Sequence, residues 1–137
     1  MSRVITIDPG ISKCGLVLAE KNEKIVYKAI IVTSDLLEDY VRELNNDAEI
    51  SEIIVGNGTY CREIIKKLDF FKKEIKTFEE KNTTYRAKAR YFELFPISGL
   101  MFLIPREVFI LNKYLDAISA LIILEDYCKI KFTLKKI

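Results

Sequence analysis

Three acidic features, far apart along the chain, carry the residue types that could do chemistry here. The first is Asp8, in Asp8-Pro9-Gly10-Ile11-Ser12-Lys13-Cys14-Gly15, which follows the run Arg3-Val4-Ile5-Thr6-Ile7. That β-branched run reads as a strand, so Asp8 is held on stiff backbone and faces a turn. Pro9 fixes φ and Gly10 tolerates positive φ, which together supply the turn. Gly15 opens a second apolar run, Leu16-Val17-Leu18-Ala19, where the missing side chain lets something approach the backbone closely. The second feature is Glu79-Glu80, just past a strand expected over 73–78. The pleat points neighbouring residues to opposite faces, so at most one of the two faces Asp8. The third is Asp116, inside a strongly apolar helix (Leu111, Leu115, Ile118, Leu121, Ile122), with Ser119 and Ala120 one turn on. Those small residues suit a close approach to a sheet edge. A carboxylate inside such a helix is costly unless paired or metal-bound.

Two carboxylates ~4 Å apart repel by roughly 4 kcal/mol at an effective dielectric near 20, and three need a counter-charge to stay ionised. Divalent cations supply it economically, and oxygen-only ligands favour Mg²⁺ or Mn²⁺ over zinc. Two such ions can activate a water and stabilise the leaving oxygen of a phosphodiester. The competing reading is a hairpin whose Asp caps a turn, plus unrelated surface carboxylates. Spacing alone leaves both open.

The elements that must position these groups read as β-β-β-α-β-α-β-α-α. After the strand of Asp8 come strands near 13–20 and 24–32, joined by the turn Lys21-Asn22-Glu23-Lys24, which makes an antiparallel meander. Ser34 caps a helix to about Asn46, with Leu36, Leu37, Tyr40, Val41 and Leu44 on its buried stripe. Ile53-Ile54-Val55 is wholly apolar, as in a strand covered on both faces. Thr59 opens a helix through Leu68, a strand spans 73–78, and Asn82-Thr83-Thr84 caps a helix through Leu94. Residues 95–110 are irregular yet apolar, and a last helix runs from Leu111 to Cys128. Right-handed crossovers put the first strand at the centre beside the strand at 52–56. Asp8 then lies at the carboxyl-end crevice, where open α/β sheets bind ligands.

Composition narrows the function. The 137 residues suit a single domain, 1–137, with a proper core. There is no histidine, which removes Ser-His-Asp and Cys-His catalysis and His-ligated zinc. Three well-separated cysteines (Cys14, Cys61, Cys128) point to reduced thiols in the cytoplasm, without a disulfide framework. No run reaches the ~18 apolar residues of a membrane span. Net charge is only +2, but residues 1–61 hold 6 basic and 10 acidic side chains, whereas residues 62–90 hold 10 basic and 5 acidic. A basic middle beside an acidic first segment suits a polyanion docked next to metal-binding carboxylates. Two solvated helix faces would give the same pattern.

Asp8-Pro9-Gly10 with Gly15, Ile53-Ile54-Val55-Gly56, Phe78-Glu79-Glu80-Lys81-Asn82-Thr83-Thr84 and Leu115-Asp116-Ala117-Ile118-Ser119-Ala120 together resemble the RuvC/YqgF nucleases. The resemblance covers nearly the whole chain in order. The Asp-Pro-Gly turn is similar to the junction resolvases, and Glu79-Glu80-Lys81 before Thr83-Thr84 to the RNA-processing branch. It implies an α/β, RNase H-like mixed sheet, three antiparallel strands followed by two parallel strands, with flanking helices. It also implies a metal-binding triad of Asp8, Glu80 and Asp116, with Glu79 as the alternative second ligand. Resolvases of this type place a glutamate where this chain has Gly56 or Asn57, and an acidic residue or histidine where it has Lys113.

The basic residues extend the expectation. Arg86 and Arg90, four apart on one helix face, join Lys81 and Lys13 as candidates to grip a phosphate backbone. Tyr85 and Tyr91 are candidates to stack on bases, although a tyrosine on an amphipathic helix is more often core. The expected function is a Mg²⁺- or Mn²⁺-dependent endonuclease acting on branched DNA or structured RNA, with no membrane partner. The apolar stretch at 97–104 suggests a homodimer. The rival is a catalytically inactive nucleic-acid-binding or assembly module, which Gly56 and Lys113 support. A phosphate turn of the sugar-kinase and actin type is disfavoured, because those proteins need two such domains.

Overall fold

The computed structural model describes residues 2–79, 83–94 and 112–134, with only the backbone of residues 83–85, 88 and 112–115. Three strands form the meander: β1 (Arg3–Asp8), β2 (Lys13–Glu20) and β3 (Ile25–Thr33). A 3₁₀ turn at Ser34–Leu36 leads into α1 (Leu37–Asp47), followed by β4 (Ile50–Gly56), α2 (Cys61–Lys67) and β5 (Glu74–Phe78). Helices α3 (Thr83–Leu94) and α4 (Asn112–Cys128) and a two-residue strand, β6 (Thr133–Leu134), complete the order. The sheet runs β5-β4-β1-β2-β3-β6. β1 pairs antiparallel with β2 and parallel with β4, and β4 parallel with β5. The expected mixed sheet, with β1 at its centre, is therefore the observed one.

Strand periodicity divides the molecule into layers. Ile5 and Ile7 point to one face, where they pack with Leu37, Val41 and Leu44 of α1 and with Ile64 of α2. Val4 points to the other face, against Leu121 and Leu124 of α4. On that same face the buried Thr6 hydroxyl donates to the Ala120 carbonyl at 2.9 Å. The far side of α4 carries Ile118 and Ile122 against Ala87 and Tyr91 of α3. A helix covered on two sides is apolar around most of its circumference, which explains the run Ala117–Leu124. Ile53, Ile54 and Val55 are wholly buried, as a strand covered on both faces requires.

Four local expectations differ from the structure. Ser34 does not cap α1. It is buried, and its hydroxyl donates to the Gly10 carbonyl at 3.3 Å. Leu36 is exposed, because the 3₁₀ turn rotates it off the stripe that Leu37, Val41 and Leu44 occupy. α2 begins at Cys61 rather than Thr59, and its first turn has no side-chain cap. β6 was not expected; it adds to β3 in parallel, through Ile25↔Thr133 and Val26↔Leu134. Tyr91 is core, edge-on to Phe92, and the Tyr85 side chain and the irregular segment 95–110 lie outside the described residues.

Candidate active site

Asp8 ends β1 opposite Gly15 of β2, and the turn between them is closed by Pro9–Ser12. Two contacts from Ser34 brace that turn, and a third, from Lys67 of α2, holds Ser34. Ser34 donates its hydroxyl to the Gly10 carbonyl, its backbone N–H donates to the Ser12 carbonyl at 2.9 Å, and Lys67 Nζ donates to the Ser34 carbonyl at 2.9 Å. Gly10 is required by space: a Cβ there would stand 2.2 Å from the Lys13 carbonyl oxygen. The aspartate therefore rests on a sheet strand and a pinned turn, which fixes where its carboxylate can go.

Gly15 brings the second carboxylate. A Cβ on Gly15 would lie 1.8 Å from the Asp116 carbonyl oxygen, so the backbone of α4 sits directly on this glycine. Asp116 comes over the end of β1, and with Asp8 and the turn 9–13 it lines a pocket of about 180 Å³. Lys13 lines the same pocket, with Nζ 4.0 Å from Asp116 Oδ2. Burial, and then the negative charge of Asp116, push the Asp8 carboxyl up to about 6. Among the described residues the pocket sets two carboxylates against the one ammonium of Lys13. Its donors are oxygens, a set that suits Mg²⁺ or Mn²⁺. Among the described residues no group of three or more His, Cys, Asp or Glu is gathered, so they supply a carboxylate pair.

The remaining sequence candidates fall elsewhere. Gly56 ends β4 buried and Asn57 is exposed, so neither offers a carboxylate at that strand end. Glu79 lines a different, larger pocket of about 590 Å³, shared with Phe78, Arg86, Asp126 and Lys129. Arg86 and Arg90 do share one face of α3, but that face meets the last turns of α4. Arg86 forms a two-pronged pair with Asp126 at 2.6 Å. Arg90 grips Glu125 at 2.8 and 3.1 Å and donates to the Phe132 carbonyl at 3.1 Å. Nine to ten residues of helix separate these acids from Asp116, about 14 Å at 1.5 Å per residue. As the geometry stands, both arginines hold α3 and the tail onto α4, at the opposite end from Asp8. The i,i+4 rule chose their common face and could not choose what covers it. Glu80, Lys81, the Lys113 side chain and the segment 97–104 lie outside the described residues.

Sequence reasoning missed a second polar cluster, at the other end of the same face. Glu52, buried on β4, accepts from Lys21 at 3.0 Å and pairs with Lys76 at 3.5 Å. Both ammonium groups lie near the Tyr127 ring, 5.6 and 5.3 Å from its centroid; Lys76 donates to the Tyr127 hydroxyl, which in turn donates to Glu52 at 3.4 Å. The cluster ties β2, β4, β5 and α4 together. Its one sequence signal was Glu52, an acid set within a strand of apolar residues.

No family model matches the chain, and no curated protein matches it. Solved structures do. T. thermophilus RuvC in complex with a Holliday junction substrate superimposes with a TM-score of 0.54 at 11% identity, covering 94% of this chain and 96% of that one. The chain has a RuvC-like fold. A nuclease domain of the large terminase subunit gp2 of bacterial virus Sf6 also matches, at 15% identity and a TM-score of 0.38 over 58% of this chain and 38% of that one, too slight a likeness to add to the comparison. In the RuvC-like frame, Asp8 and Asp116 stand at the carboxyl end of the central strand, where open α/β sheets receive ligands. Among the described residues no helix is long and apolar enough to cross a membrane.

Proposed function

We propose that the protein is a divalent-metal-dependent endonuclease, one catalytic domain spanning residues 1–137, that hydrolyses phosphodiesters in branched DNA or structured RNA. The observation that carries this reading is the convergence of Asp8 and Asp116 on one pocket of a RuvC-like fold. A Holliday junction is bound by the RuvC of the matching structure, which supports a branched substrate here. Asp8 and Asp116 hold Mg²⁺ or Mn²⁺. Glu80 is the third ligand, with Glu79 as the alternative; Glu79 lines the separate pocket. When bound, the ion supplies a charge that activates water and stabilises the leaving oxygen. Lys13, half-exposed at the rim, meets an incoming phosphate, and Lys81 extends that contact along the backbone. The braced turn 9–12 keeps Asp8 from swinging as the substrate arrives. Free cysteines suit a reducing compartment such as the cytoplasm.

The test is nicking of four-way DNA junctions and of structured RNA precursors with Mg²⁺ or Mn²⁺. The parent cuts, and Asp8→Asn and Asp116→Asn lose at least two orders of magnitude in rate, as expected when a charge-stabilising group is removed. Equal cutting by these variants sinks the assignment. The absence of an acid at Gly56 favours one second reading, a nucleic-acid-binding module without chemistry. That reading is upheld if the parent binds junctions, cuts none, and gains no thermal stability from Mn²⁺.

A further inference from the structure

We infer that Lys13 stands in for one of two divalent ions, so that the pocket takes a single Mg²⁺ or Mn²⁺ per chain; the inference rests on the nuclease reading and specifies its metal chemistry. Lys13 is the first residue of β2 and shares with Gly15 and Val17 the face that α4 covers. Its ammonium is 4.0 Å from Asp116 Oδ2, and it lines the same pocket as Asp8. Lys21 and Lys76, on the same face, are engaged with Glu52, and Lys67, across the sheet, with the Ser34 carbonyl. Among the described residues Lys13 is thus the ammonium that the fold delivers to the carboxylate pair. Its side chain is 52% exposed, so it keeps its hydration and its charge at little cost.

Charge balance points the same way. Asp8 and Asp116 bring two negative charges and Lys13 leaves one, which one divalent ion more than neutralises. A second divalent ion would leave an excess of three positive charges in about 180 Å³. Gly56 adds no carboxylate at the end of β4 to hold a further ion. Before substrate arrives, Lys13 supplies a fixed charge beside Asp116 and leaves room for one mobile cation.

Mn²⁺ binding to the full chain, followed by calorimetry and by the paramagnetic resonance of free Mn²⁺, tests this directly. The parent binds one ion per chain. Lys13→Met binds a second ion, or binds the first about tenfold more tightly, the change expected when a like charge ~4 Å away is removed through a partly aqueous medium. Lys13→Arg keeps the charge and binds one ion, which a role in packing alone would not require. Thermal melting confirms that each variant is folded, and Lys13→Gln serves if Lys13→Met is not. Two ions on the parent, or a Lys13→Met that matches it in stoichiometry and within twofold in affinity, overturn the inference and leave the nuclease reading intact. A parent that binds no Mn²⁺ overturns both.

Discussion

Replacing Gly15 by alanine is the sharpest probe of how this fold assembles its carboxylates. The new Cβ would stand 1.8 Å from the Asp116 carbonyl oxygen, 2.4 Å from its carbon and 3.0 Å from the Ala117 nitrogen. Every one of these atoms is helix backbone, so no side-chain rotation relieves the clash. Reaching even 3.0 Å requires α4 to retreat by about 1.2 Å at Asp116. One turn further on, the helix is pinned by the Thr6–Ala120 hydrogen bond at 2.9 Å and by Leu121 and Leu124 in the core. The retreat is therefore a tilt that opens the end where Asp116 sits. Overpacking of this kind costs about 1–3 kcal/mol, or a fall in Tm of roughly 4–12 °C for a chain of this size. A glycine in an unremarkable strand position would show the opposite sign, since alanine there stabilises by about 0.4–1 kcal/mol through the unfolded chain. A displacement of ~1 Å in a catalytic group costs about 10²-fold in rate, so Mn²⁺ affinity and junction nicking fall together. Differential scanning fluorimetry in chelator gives the first number, and calorimetry and a nicking assay give the second and third. A Gly15→Ala protein that melts at or above the parent, and binds Mn²⁺ as the parent does, refutes the seating of α4 on this residue.

Asp8 and Arg90 give two further expected outcomes. Asp8 has its folded-state pKa raised from 3.8 to about 6, so its protonated form stabilises the metal-free protein fully below pH ~4, and that contribution is lost as pH rises through about 6, up to about 3 kcal/mol at 1.36 kcal/mol per unit. Asp8→Asn therefore raises Tm in chelator at pH 8 and does not at pH 4, and a gain that is constant across that range contradicts the assignment. Arg90→Ala leaves Glu125, 9% exposed, without its cationic partner and with only the Phe132 N–H still donating to it, and removes a donor from the Phe132 carbonyl. A loss of about 3–5 kcal/mol in urea unfolding is expected, while Mn²⁺ affinity of the folded fraction stays at the parental value because the pair is about 14 Å along α4 from Asp116.

Local order was legible in the residues because strand and helix periods repeat within a few positions. The alternation in Arg3–Asp8, the apolar Ile53-Ile54-Val55 and the stripe Leu37-Val41-Leu44 each report burial through their immediate neighbours. Asp8 and Asp116 could be named as candidates on the same basis, since a strand-end aspartate and an acid in an apolar helix are both costly without a purpose. Ser34 was misread because a serine before a helix is usually a cap, and the alternative acceptor, Gly10 carbonyl, lies 24 residues away.

Amino-acid order alone thus determined which segments pair, which faces are buried, and which side chains carry unexplained charge, because those properties depend on spacing along the chain. Whether two distant acids meet depends on how closely two backbones approach, and that was decided by a tertiary contact: Gly15 against the carbonyl of Asp116. The same contact-level decision put Lys13 beside the pair and turned Arg86 and Arg90 toward Asp126 and Glu125. Helical spacing sets which residues share a face, and only packing sets what that face meets.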